Sequence, residues 1–119
     1  MRLDFLGAGL RAVMGGLVVA GFVSTAHAAD APSRGLAIAR ANACMGCHAV
    51  DRKLVGPSFQ QVAEKYKGNA GAGALLSKKV KDGGSGVWGA IPMPAHPAMN
   101  DADIRTVVDW VLAGAPSSK

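Results

Sequence analysis

The chain has 119 residues, half of them hydrophobic (50%), with 18% charged residues and a formal net charge of +5. That length allows one domain, and its positive balance comes without the interleaved aromatic and basic residues of a nucleic-acid surface. No nucleophile–base pair and no carboxylate dyad stands out, so hydrolytic chemistry has no support.

The first quarter reads as an address. Arg2 and Arg11 flank its start, residues 12–23 carry no charge, and Ala26-His27-Ala28 is the small-x-small pattern that a signal peptidase accepts. Cleavage after Ala28 is expected, leaving residues 29–119 as the working domain. The alternative, a retained anchor, is disfavoured because a spanning helix needs about 20 apolar residues and because Gly15, Gly16 and Gly21 interrupt this stretch. A domain of this size is marginal without a metal, a disulfide or a cofactor. Beyond the leader its aromatic residues are Phe59, Tyr66, Trp88 and Trp110.

In chain order, four helices are predicted and no alternating strand, giving an all-α class. The first runs from about Ser33, a plausible N-cap, to about Ala43. The second follows Gly56-Pro57, with Ser58 as cap and Phe59, Val62, Ala63 and Tyr66 on one face at helical spacing; Gly68 stops it. The third covers about Ala72 to Asp82, carries Leu75, Leu76 and Val80, and halts at Gly83-Gly84. From Gly83 to Met99 the chain turns to Gly, Pro and Met, and Pro92, Pro94 and Pro97 forbid a regular helix. So long a loop in a small domain usually has a function. The last helix opens at Asn100, with Asp101 and Asp103 in its first turn and Ile104, Val107, Val108, Val111 and Leu112 on one stripe; Gly114 and Pro116 close it.

The two cysteines lie in Cys44-Met45-Gly46-Cys47-His48, too close together to staple distant segments. In a C-x-x-C-H motif the thiols form thioethers with the haem vinyl groups, and the adjacent imidazole ligates iron. A thioredoxin-like dithiol would need a βαβ context, and a zinc site would need two more ligands; the pattern supplies neither. Three later side chains could take the second axial position: Met93, His96 and Met99. Pro92 and Pro94 stiffen the chain around Met93, which favours it. Met99 suits a hydrophobic staple at the start of the last helix, and His96 would give a bis-imidazole iron of lower potential.

These residues resemble the short bacterial class I monohaem cytochromes c of the c-551 (c8) type. The resemblance rests on the haem motif and on Val55-Gly56-Pro57, Gly86-Val87-Trp88-Gly89, Ile91-Pro92-Met93-Pro94 and Asp109-Trp110-Val111-Leu112. It implies four helices around one covalently bound haem, with the first and last helices crossing. It implies thioethers at Cys44 and Cys47 and iron ligated by His48 and Met93. It further implies that the Pro57 carbonyl accepts the other ring N–H of His48, and that Trp88 donates its indole N–H to a haem propionate with Lys79 nearby as a cation. Trp110 is expected to pack between helices, and Ala39 to form a small–large pair with Met45. One departure is His96, which stands where relatives commonly carry Asn; a positive charge there would favour ferrous iron and raise the potential.

Two strong protein ligands would leave iron free to change valence but with nowhere to bind a substrate, so an electron carrier rather than an enzyme is expected. The resemblance implies a cytochrome bc1 complex as donor and a terminal oxidase or periplasmic nitrite reductase as acceptor, met by a monomer that touches membranes only through its partners. Most basic residues beyond the leader fall between Arg52 and Lys81, where Arg52, Lys53, Lys78, Lys79 and Lys81 would dock on an acidic surface. The rival readings are a ligand-binding or peroxidase-like haem protein in which Met93 is displaced, and a haem subunit fixed in one oxidoreductase.

Overall fold

The computed structural model describes residues 31–117; the leader and its expected cleavage point lie outside the described residues. Four helices follow one another: α1 (Ala31–Ala41), α2 (Phe59–Lys65), α3 (Ala72–Asp82) and α4 (Asp101–Leu112), with one 3-10 turn at Cys44–Gly46 between α1 and α2. Among the described residues the extended structure is limited to two isolated bridges, His48 with Lys53 and Gly84 with Met93. No helix of the described residues is long and apolar enough to cross a membrane.

Local chemistry explains most boundaries. Ser58 and Gln61 form a reciprocal capping box: the Ser58 hydroxyl accepts from the Gln61 N–H at 3.0 Å, and Gln61 Oε1 accepts from the Ser58 N–H at 2.9 Å. Asn100 caps α4 by accepting from the Asp103 N–H at 2.8 Å, and such caps contribute about 1 kcal/mol each. The start of α1 differs from expectation, because position 33 already lies within the helix and is not its N-cap. Its end comes at Ala41, where Asn42 places both its backbone N–H and its side-chain amide on the Ile38 carbonyl. Ala43 then adopts a left-handed φ of 59°, a conformation that costs a non-glycine residue about 1–2 kcal/mol. That reversal throws the chain out of α1 and into the cysteine turn.

α4 is the hub, and α1, α2 and α3 each pack on it. Its predicted stripe is the core: Ile104, Val107, Val108 and Val111 are buried, with Leu112 partly so. Burial of each such side chain contributes about 1.5–3 kcal/mol. Met99 is buried in the same cluster as Ile104, the N′ and N4 positions of a hydrophobic staple. Ala39 is fully buried, and Met45 is partly buried against the same cluster. Trp110 is buried, and its indole N–H donates to the Pro116 carbonyl at 3.0 Å, which folds the C-terminal segment back over the helix.

Gly35 sets the approach of α1 to α4: a Cβ there would lie 2.2 Å from Trp110 Cβ and 2.4 Å from Trp110 Cγ. Only hydrogen fits in that gap. Gly35→Ala would gain about 1 kcal/mol of helix propensity yet must separate the two helices, and overpacking of this kind costs about 1–3 kcal/mol. We expect a lower urea midpoint for the Gly35→Ala holoprotein; an equal or higher midpoint would contradict this packing.

Candidate functional site

His48 leaves the cysteine turn under strong constraint. Its N–H donates to the Cys44 carbonyl at 3.0 Å, and the Gly56 N–H returns to the Cys47 carbonyl at 2.8 Å, closing the segment 47–56 into a loop. Phe59 and Gln60 extend that closure by donating to Ala49 and Val50 at 2.9 and 3.1 Å. The imidazole is then gripped on three sides. Its Nδ1 donates to the Pro57 carbonyl at 2.7 Å, its ring stacks on Phe59 with centroids 5.2 Å apart, and Gly56 presses against Cε1, where a Cβ would come within 2.6 Å.

The tautomer follows from the partner. A carbonyl can only accept, so Nδ1 carries the proton and Nε2 keeps the lone pair available to a metal. Phe59 in turn meets Trp110 edge-on, with centroids 5.1 Å apart. An unbroken run of side chains therefore connects the imidazole to the helix crossing at Gly35. Cys44 and Cys47, both half-buried, lie in the turn that leads into His48. Burial pushes the Cys44 thiol above its usual range, partly offset by a backbone hydrogen bond.

A second group of residues lies in the 83–99 loop. Gly84 and Met93 exchange backbone hydrogen bonds, Gly84 N–H to Met93 at 3.0 Å and Met93 N–H to Gly84 at 2.9 Å, which pins Met93 at the base of the loop. Lys79 reaches the same place: a Cβ on Gly84 would lie 3.1 Å from its Nζ. Gly83, at φ 72°, leaves no room for a side chain beside the Met93 carbonyl. His96 anchors the far side, donating its N–H to the Val80 and Lys81 carbonyls, while its buried Nδ1 has no hydrogen-bond partner. Trp88 lies at the loop tip, and the cation over its ring is Lys65 of α2, 5.3 Å from the centroid.

Six large apolar side chains, Leu54, Val55, Leu75, Val87, Trp88 and Ile91, remain 41–68% exposed. They come from the loop after His48, from α3 and from the 83–99 loop, which carries Met93. A flat apolar group held beside His48 would cover such side chains; two thiols able to bond vinyl groups, with an imidazole nitrogen and a thioether able to ligate iron, suit a c-type haem. The residues present fit that group.

The family profile described as cytochrome c matches residues 32–115. The chain belongs to the cytochrome c family. It is 54% identical over 69 residues to cytochrome c-551 of Azotobacter vinelandii, covering 58% of this chain and 83% of that one. With cytochrome c-552 of Nitrosomonas europaea it shares 42% identity over 96 residues, 81% of this chain and 84% of the other. The crystal structure of the wild-type Nitrosomonas europaea protein superposes with a TM-score of 0.64 over 66% of this chain and 98% of that one. This is a class I monohaem cytochrome c of the c-551 type, with the four-helix fold of that class.

The environment of His48 in this cytochrome includes two residues whose role the motif does not announce. Gly56 is legible as half of a Gly-Pro turn and Phe59 as one apolar position of α2, but neither spacing says that both close on the imidazole. Gly56→Ala should drive the His48 ring off the Pro57 carbonyl and lower the holoprotein's stability by about 1–3 kcal/mol, with altered visible bands. Unchanged bands and an unchanged unfolding midpoint would refute the clamp.

Proposed function

We propose that this cytochrome carries one haem c, attached through Cys44 and Cys47 and ligated by His48 and Met93, and passes single electrons between proteins of the bacterial periplasm. The observation that supports the reading most is the His48 arrangement, in which the Nδ1 proton is engaged by Pro57 and the Nε2 lone pair is left for iron. Haem c, when bound, supplies a one-electron ferric–ferrous couple. The chain's own residues orient and insulate it. The Pro57 carbonyl fixes the imidazole and raises its basicity, the pinned backbone of Met93 limits where its thioether can go, and the exposed apolar side chains would exclude water. Trp88 is proposed as a propionate donor, with Lys79 as a nearby cation.

The working domain is residues 29–119, released from a leader cleaved after Ala28; the family match at 32–115 lies within it. Its proposed donor is a cytochrome bc1 complex and its acceptor a terminal oxidase or nitrite reductase, met by a soluble monomer. Not every basic residue serves the encounter equally. Arg52 pairs with Asp51, and Lys81 donates to the Met99 carbonyl and pairs with Asp101. Lys78 bonds Asp82, and that hydrogen bond, reinforced by the carboxylate's charge, raises its pKa. Among the described residues Lys53, Lys65 and Lys79 have no carboxylate within 4.0 Å, so these carry the steering field.

Mass spectrometry of the mature protein from a host that matures such proteins should find an Ala29 N-terminus and haem on the peptide spanning Cys44 to His48; two alkylatable thiols there would refute attachment. Met93→Ala should abolish the ferric sulfur-to-iron charge-transfer band and let the ferrous protein bind carbon monoxide, whereas an unaltered band would remove Met93 from the ligand set. Between ionic strengths of about 0.01 and about 0.15 M the screening length falls from about 30 to about 8 Å. Electron transfer to an acidic redox protein should slow several-fold across that range, and a Lys53→Glu, Lys79→Glu variant should start slower and depend less on salt. A rate independent of salt would contradict the steering role.

A further inference from the structure

The 83–99 loop is tied to the helices at its base. Gly84 and Met93 bond each other, Gly83 donates to Lys79, and His96 donates to Val80 and Lys81, so the loop stem grows out of α3. Its tip is different. The Gly86 N–H donates to the Gly89 carbonyl at 2.8 Å, a tight turn that needs Gly86 at φ 105° and Gly89 at φ 125° and carries Val87 and Trp88 between them. Among the hydrogen bonds of the described residues, none joins positions 85–92 to a helix. A charge over a ring does reach this tip from the helical body: Lys65 Nζ, from the last turn of α2, lies 5.3 Å from the Trp88 centroid.

We propose that Lys65 is a positioning residue that ties the loop tip to α2 and fixes the plane of the Trp88 indole. This rests on the haem reading of the site. The ammonium is available for the task because no carboxylate of the described residues lies within 4.0 Å of it, whereas Lys67, one turn face away, pairs with Glu64. An exposed cation–π contact contributes about 0.5–1 kcal/mol. That is too little to hold the fold but enough to bias one loop-tip orientation about two- to fivefold. Since Trp88 sits among the apolar side chains left uncovered by protein, its orientation sets how its N–H meets a bound group. Lys65 therefore acts on the site through Trp88 and is not itself a ligand.

The test uses holoprotein, with hydrogen exchange of the Trp88 indole N–H in the ferrous state and the midpoint potential as readouts. Lys65→Gln should speed indole exchange about two- to fivefold and lower the potential, with the global unfolding midpoint and visible bands unchanged. Lys65→Arg should restore both readouts, because guanidinium also stacks on the ring. In a Trp88→Leu background, Lys65→Gln should shift the potential by less than it does in wild type. Equal shifts in the two backgrounds, or wild-type exchange in a spectrally normal Lys65→Gln protein, would overturn the positioning role and leave the haem reading intact. A wild-type protein without c-type haem bands would overturn both.

Discussion

The hydrogen bond from His48 Nδ1 to the Pro57 carbonyl is the constraint around which the site is arranged. It decides the tautomer of the imidazole, and with it which nitrogen keeps a lone pair. The loop that supplies the carbonyl exists because Cys47 and Gly56 bond across it and because Ser58, directly after Pro57, caps α2. Shift the cap and the carbonyl moves. The same short segment thus ends a loop, starts a helix and orients the His48 imidazole, and at Gly56 it leaves no room for a side chain.

From that bond the structure runs inward through Phe59 to Trp110, and from Trp110 to the glycine at the crossing of α1 and α4. A core built on one stripe of α4 cannot be large. Among the described residues it has six aliphatic side chains, one methionine, two aromatic rings and two alanines, while six large apolar side chains stay exposed. Those exposed groups contradict a self-sufficient fold, since burying them would contribute about 1.5–3 kcal/mol apiece. They make sense in a cytochrome c, whose cofactor is part of the hydrophobic core rather than an addition to it.

Much of this was legible in the residues. The elements after the first followed from caps and breakers with strong local chemistry: Ser58 with Gln61, Asn100 before two aspartates, Gly83-Gly84 after a lysine-rich turn. The stripe from Ile104 to Val111 announced the core by spacing alone. The start of α1 was misjudged because a serine that could cap a helix can also sit inside its first turns. What could not be read was convergence in space. That Gly35 touches Trp110, that Gly56 and Phe59 close on one imidazole, and that Lys65 lies over Trp88 are facts of packing between segments far apart in the chain. The lysine-rich stretch read as one docking rim divides for the same reason, Lys81 being drawn to the Met99 carbonyl and Lys78 to Asp82.

The central claim is that His48 is held with its Nδ1 proton on the Pro57 carbonyl. Nitrogen–proton correlation spectra of the diamagnetic ferrous holoprotein test it most directly. The account predicts a slowly exchanging proton on His48 Nδ1 with a measurable coupling to the Pro57 carbonyl carbon. A bare Nδ1, or one whose proton exchanges as freely as that of imidazole in water, would contradict it.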